Sequence, residues 1–454
     1  MDALTLQWII LVGFGLLFFF LAPLAKTPSA FFQAVSKQDK KPGFLLLTAS
    51  LVISWIFAKS ITVAADLGLA YGFVGGLAYA TYYLSFLVAG IVIYRLRVKG
   101  GYKSIHDFLQ SRFGRGAVIL FSLLIGIRLF NEIWSNTMVI GSYFGESGSA
   151  GYFTAALVFT GLTLAYTMKG GLRSSLLTDA IQMIFFGLLL FILLGYVFGS
   201  GNEGVVDFVN SGDWEMSAGL NLLFAALIQV FSYPFHDSVL TDRGFISDPK
   251  TTLKSYLAAT VIGFFCILAF SMVGVYARFA GMEGHAAVEV SKILGVVGML
   301  AMNFIMITSA ASTLDSAFSS FSKLMVIDLA RDKVPTVSRG RMMMVVLTVI
   351  GSIPLFLGAE ILSATTISGT MVMGLAPVFL FWNARSNPWS FYLPVGFGIF
   401  VGILLATKSI PDGLVFFEGK YGDLLSANLW GIGICFILYA ITIPFSNGKF
   451  RKQS

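Results

Sequence analysis

The sequence predicts an all-α polytopic membrane protein, and three observations predict it. The chain of 454 residues is 57% hydrophobic and 12% charged, where a soluble domain carries about 25% charged residues. Its mean hydropathy is +0.84, and the apolar residues gather in runs long enough to cross a bilayer, about 20 residues each. Lys and Arg fall in alternate connections between those runs. The net charge of +7 is dispersed over many short loops, which marks topology and excludes a nucleic-acid patch. The longest polar stretches, 26–43, 95–116, 199–217 and 237–252, are too short to hold a core of their own. Residues 1–454 therefore read as a single transmembrane domain. No nucleotide loop and no soluble cleft with paired catalytic carboxylates appears, so an enzyme is not expected and no cofactor is implied.

A window of about 19 residues places thirteen spans in order. They lie near 5–25, 44–68, 71–94, 117–143, 151–167, 175–198, 218–236, 253–277, 293–327, 342–358, 361–382, 389–407 and 427–445. The first reads as a retained helix, since no small-residue cleavage site follows it. Cys266 and Cys435 both lie inside spans and read as packing residues, neither a disulfide nor a metal pair. His106, His236 and His285 are too scattered for a metal site. Basic residues concentrate in 26–41, 95–115, 169–173, 243–254, 331–341, at Arg385 and in 449–452, whereas 199–217 carries four acidic residues and no Lys or Arg. The positive-inside rule then puts the amino terminus outside and the carboxyl terminus in the cytoplasm of a plasma (inner) membrane.

Spans two to six (44–198) and seven to eleven (218–382) form two blocks of five helices, preceded by one helix and followed by two at 389–445. Five is odd, so the second block enters the membrane inverted, the plan of many secondary transporters. The first helix of each block should then be discontinuous. Block one mixes Ser54, Lys59, Ser60, Thr62 and Asp66 into an apolar span; block two holds Ser232-Tyr233-Pro234, where proline supplies no backbone donor. An ordinary proline kink would explain the second equally well.

Ser309-Ala310-Ala311-Ser312-Thr313-Leu314-Asp315-Ser316 places hydroxyls and a carboxylate in a long apolar span. Such groups are costly at membrane depth unless something binds them. Ser309, Ser312, Thr313 and Ser316 fall on one helical face, with Asp315 beside Ser312, an arrangement suited to a small dehydrated cation. The plainer reading is that these hydroxyls bond back to their own helix.

Tyr166-Thr167-Met168-Lys169-Gly170-Gly171-Leu172-Arg173-Ser174-Ser175-Leu176-Leu177-Thr178-Asp179-Ala180-Ile181-Gln182 resembles the signature of the sodium:solute symporter family. Ser312-Thr313-Leu314-Asp315-Ser316 is similar to its second signature. Ser104-Ile105-His106-Asp107-Phe108-Leu109-Gln110-Ser111-Arg112-Phe113-Gly114 is similar to its cytoplasmic loop between the third and fourth helices. The three occur in the family's order. The resemblance implies the leucine-transporter-like fold, with ten core helices in inverted repeat, one helix before and two after. It also implies a sodium site of the Ala49, Val52 and Ser309 carbonyls with the Ser312 and Thr313 hydroxyls. A second ion site would use Asp179, Ser312, Asp315 and Ser316. Two carboxylates near one cavity favour a cation or share a proton, while Asp179 also suits the dipole of a helix start.

For the solute, Lys59, Arg128 and Glu132 are ionisable residues within spans. They leave one positive charge in excess, which points to a carboxylate-bearing or zwitterionic solute such as an amino acid. Arg128 and Glu132, one turn apart, can also neutralise each other. Trp55, Phe57, Trp134 and Tyr233 are candidates to wall the cavity, though aromatics in spans often serve packing or the interface. The expectation is a sodium-coupled symporter importing a small polar organic solute by alternating access, with the lipid bilayer, sodium and the solute as its partners. No obligate protein partner is evident. The alternatives are a proton-coupled carrier using Asp179 or Asp315, and a transporter-fold sensor. The sensor is disfavoured because nine residues follow the last span. A channel is disfavoured because no filter-like loop is present.

Overall fold

The computed structural model describes residues 2–35, 40–199, 203–330, 334–357 and 368–445, and among these there is no β-strand. The principal helices are α1 (Ala3–Leu21), α2 (Phe44–Trp55), α3 (Ala58–Tyr71), α4 (Phe73–Val98), α5 (Arg115–Ser142), α6 (Ala150–Gly170) and α7 (Leu172–Gly199). They continue with α8 (Asn221–Gln229), α9 (Pro249–Phe279), α10 (Gly295–Lys323), α11 (Val337–Ser352), α12 (Leu375–Leu380), α13 (Trp389–Ala406) and α14 (Gly422–Thr442).

Ten helices among the described residues are long and apolar enough to cross a membrane, and α2 with α3 makes an eleventh span bent by 59°. The other two of the thirteen expected spans are not continuous long helices among the described residues. Hydropathy reads composition and not continuity. The seventh expected span is a short apolar helix, Met216–Gln229, that runs into a turn at Tyr233–His236 containing Pro234. The eleventh lies partly outside the described residues. Both discontinuities fall where the sequence mixes polar residues or proline into an apolar run.

The chain divides into two units. The first comprises Met1–Gly76, Leu129–Gly212 and Phe265–Ala359, and α10 is its centre. Every α10 residue from Ile305 to Ser320 is buried, packed by α1, α2, α6, α7 and α11. A helix with this many hydroxyls cannot face lipid. The rim does the opposite: on α7, Phe191 is 78% exposed while Asp179 is fully buried. Where α3 meets α9 the backbones touch. A Cβ on Gly68 would come 2.3 Å from the Ser271 carbonyl oxygen, and one on Gly274 would come 1.7 Å from that of Ala65. Small residues allow such close crossings in membranes.

The second unit comprises Leu77–Arg128, Asp213–Phe264 and Glu360–Ser454. Here α13 and α14 pack around Met373, Val401, Ala427 and Cys435. A buried amide–hydroxyl network joins α4, α8 and α14. The Tyr82 hydroxyl donates to Gln229 Oε1 at 2.7 Å, and Gln229 Nε2 donates to Asn428 Oδ1 at 3.1 Å and to Thr370 Oγ1 at 3.3 Å. Asn428 Nδ2 in turn donates to Thr370 Oγ1 at 3.0 Å. Cys266 and Cys435 are both free thiols.

Candidate functional site: a carboxylate–hydroxyl cluster

The glycine pair of the first signature sets the site. Gly171 has a φ of 56°, a conformation that other residues adopt at a cost, and its N–H closes α6 onto Thr167. A Cβ there would meet the Phe31 carbonyl oxygen at 2.5 Å. The chain thus turns from α6 into α7 without a loop, which brings Tyr166 beside the first turns of α7. Along α7, Ser175, Thr178 and Asp179 occupy i, i+3 and i+4 and share a face. Along α10, Ser312, Asp315 and Ser316 repeat that spacing, and the two faces meet.

Asp179 Oδ1 accepts from the Ser312 hydroxyl at 2.9 Å. Its Oδ2 accepts from Ser50 at 2.5 Å and Ser54 at 3.4 Å, both on α2. Asp315 Oδ1 accepts from Ser175 at 2.8 Å and Ser316 at 3.3 Å, and its Oδ2 from Tyr166 and Thr178, each at 2.9 Å. Ser175 links the carboxylates, standing 3.5 Å from Asp179 Oδ2. The Ser316 hydroxyl lies 3.1 Å from those of Ser54 and Ser175. All of these residues are buried. Two carboxylates out of water are expensive, and the surrounding groups are rotatable hydroxyls that can turn lone pairs inward. The donor set is all oxygen, as a hard cation requires.

Asp179, Ser312, Asp315 and Ser316 are thus brought together as the sequence suggested. Ser50, Ser54, Tyr166, Ser175 and Thr178 join them, and these five were not among the candidates; for Ser175 and Thr178 the signal available was the hydroxyl spacing on α7. Ala49 and Val52 lie on α2, which stays helical through Trp55, so the break at Ile56–Phe57 comes after both. The Val52 carbonyl accepts the Ile56 N–H at 3.0 Å. Thr313 bonds back to the Ser309 carbonyl at 3.0 Å, the plainer role foreseen for such hydroxyls.

The intramembrane charges require a correction. Lys59 and Arg128 each have a carboxylate partner, so neither is the excess cation expected. Lys59 Nζ pairs with Glu132 Oε1 at 2.9 Å, and Arg128 pairs at 3.1 Å with Asp237, which sequence reasoning did not name. Buried Lys and Arg residues are Lys59, Arg128 and Arg243, against Glu132, Asp179, Asp237, Asp242, Asp315 and Asp328. The balance is acidic. Trp55, Trp134 and Tyr233 are all buried; the Trp55 and Phe57 rings stand 6.4 Å apart, and Tyr233 lies under the Arg128 guanidinium at 5.2 Å.

No protein-family model matches the chain. A mouse sodium/myo-inositol cotransporter 2 is 30% identical over 188 residues, 38% of this chain and 28% of that protein's length. A sheep sodium/glucose cotransporter 1 is 26% identical over 185 residues, 37% of this chain and 28% of that protein. A probable urea active transporter 2 of Schizosaccharomyces pombe is 24% identical across 82% of this chain and 63% of its own length. A solved Na+-coupled sialic acid symporter in a substrate-bound, outward-open state superposes with a TM-score of 0.75 at 16% identity, covering 97% of this chain and 98% of that one. A nucleobase-cation-symport-1 family transporter superposes at 0.59, with 11% identity over 92% and 96%. The sodium:solute symporter resemblance is borne out. The relatives are transporters and not enzymes, the fold is the all-helical one of the symporter structures it superposes on, and the protein is an integral membrane protein. The matched segment spans about 28% of the curated cotransporters it resembles.

Proposed function

We propose that the chain is a sodium-coupled secondary symporter that imports a small polar organic solute by alternating access. The observation that carries this reading is the Asp179–Asp315 cluster, where two buried carboxylates stand among hydroxyls from α2, α6, α7 and α10 with no cationic side chain among the hydrogen-bond partners described there. Sodium is the cargo that would balance their charge. Ser312 belongs to the expected sodium site shared with Ala49, Val52, Ser309 and Thr313, and Asp179, Asp315 and Ser316 extend that site toward a second ion. Binding would draw α2, α7 and α10 together and order the break between α2 and α3, where the solute cavity is placed. Entry down a membrane potential contributes about 2.3 kcal/mol per charge per 100 mV.

In this reading the chain is one transporter domain in a plasma (inner) membrane, with inverted repeats over 44–198 and 218–382, the amino terminus outside and the carboxyl terminus inside. The carboxylate-bearing or zwitterionic solute expected from the sequence rested on an excess cation, and the Lys59–Glu132 and Arg128–Asp237 pairs withdraw that support. Proton coupling is the second reading, because Ser175 bridges two carboxylates that could hold a proton between them. Proteoliposomes with imposed gradients separate the two. Uptake should follow a sodium gradient at fixed pH, and uptake that follows a pH gradient without sodium would favour the proton.

A further inference from the structure

We propose that the solute is an uncharged molecule bearing hydroxyl or amide groups, because the chain's own carboxylate takes the place that an anionic solute group would occupy. This rests on the symport reading and names the substrate class for it. In transporters built on broken helices, the start of a half-helix points its free N–H groups and its dipole at the anionic part of the solute. Here the start of α3 already has one N–H taken and a cation–carboxylate pair in place. Phe57 offers no side-chain cap, and the Lys59 backbone N–H is taken by Asn136 Oδ1 at 3.3 Å. Lys59 itself puts a cation where the dipole disfavours one, and Glu132 compensates at 2.9 Å with both side chains at most 3% exposed. Asn136 Nδ2 steadies the same carboxylate, donating to Glu132 Oε2 at 3.1 Å and to the Glu132 carbonyl at 2.9 Å. An arriving carboxylate would meet Glu132, a like charge in a desolvated place.

The other cation that might have received an anion, Arg128, holds Asp237 at 3.1 Å. A cationic organic solute fares no better. In the cluster beyond those pairs, Asp179 and Asp315 are buried and take their hydrogen bonds from hydroxyls of the chain itself. What the break can still read is a neutral polar group, through hydrogen bonds.

The test uses the full chain in proteoliposomes with an inward sodium gradient and labelled myo-inositol, urea, proline and acetate. Sodium should drive myo-inositol or urea and leave proline and acetate at the level of a potassium control. Sodium-driven uptake of proline or acetate would overturn the proposal while leaving the symport reading intact. Failure of sodium to drive any of the four, or to stabilise the protein against heat, counts against symport. The solute class is then judged by acetate titration of the purified protein, followed by thermal stability. Wild type should not respond specifically to acetate. Glu132→Gln, which removes the carboxylate charge facing Lys59, should bind acetate at least about tenfold more tightly than wild type. The double variant Lys59→Gln/Glu132→Gln should lose that gain. Acetate binding by wild type that matches Glu132→Gln refutes the idea, and the wild-type arm decides even if the single variant fails to assemble.

Discussion

Replacing Asp179 by Asn separates an ion site from a structural polar cluster, because the shape is kept and only the charge is removed. Asp179 accepts from Ser50 at 2.5 Å and Ser312 at 2.9 Å, and an amide can keep both contacts once the hydroxyls rotate. A unit charge about 4 Å from a cation is worth about 4 kcal/mol at an effective dielectric constant of about 20. That corresponds to roughly a thousandfold in affinity. The half-saturating sodium concentration for uptake should therefore rise by at least about a hundredfold, or one sodium should disappear from the transport stoichiometry. Folding should respond in the other direction. Removing one of two neighbouring buried carboxylates relieves repulsion and desolvation, so melting without sodium should stay level or rise. Sodium-dependent melting in detergent, set beside sodium-driven uptake, measures both. An Asn variant with unchanged sodium dependence and a lowered melting temperature would refute the reasoning, and would make Asp179 a structural anchor for α2.

Ser312→Ala should raise the sodium constant more than Thr313→Ala, since Ser312 donates to Asp179 and Thr313 bonds back to Ser309; sodium titration of uptake compares them. Gln229→Ala should destabilise the protein by about 1–3 kcal/mol for each buried partner left unanswered at Tyr82 and Asn428, read as a lower melting temperature with sodium affinity retained. His285 lies 2.8 Å from Asp66, which also accepts the Ala286 N–H, with Glu289 and Lys292 nearby. The hydrogen bond to Asp66 raises the His285 pKa above 6.5 despite partial burial. The folded-state value is the raised one, so this contact is complete below about pH 6.5 and is lost as pH rises through the raised value. Melting of wild type minus His285→Gln should thus converge toward alkaline pH. His285 is 63% exposed and Asp66 32%, so solvent screens the pair and the difference should be small.

The helix faces at the centre of the site could be read in advance because their information is local. Ser312, Asp315 and Ser316 share a turn, as do Ser175, Thr178 and Asp179, and helical geometry alone puts each set on one side. What could not be read is which helix comes opposite. Ser50 reaches Asp179 across 129 residues, and nothing in the composition of α2 marks that serine as different from its neighbours. The charges show the same limit. Glu132 one turn beyond Arg128 suggested a pair within one helix, whereas the structure gives Glu132 a partner 73 residues away and Arg128 one 109 residues away. Breaks are hidden from span counting for a different reason: a window average runs across one like that before Pro234 as though the helix continued.

The crossing of α3 over α9 bears on how the first half of the molecule can deform. At Gly68 and Gly274 the two backbones meet with no side chains between them, so no rotamer change can absorb a displacement there. Two helices separated by leucines can shear past one another as methyl groups re-interleave; two held carbonyl to α-carbon cannot. A displacement of α3 at this crossing would have to carry this stretch of α9 with it, as at a pinned joint and not a sliding bearing. The helix geometry is interrupted at Ile56–Phe57, which leaves that break as the place where the pair can bend while α3 stays seated on α9.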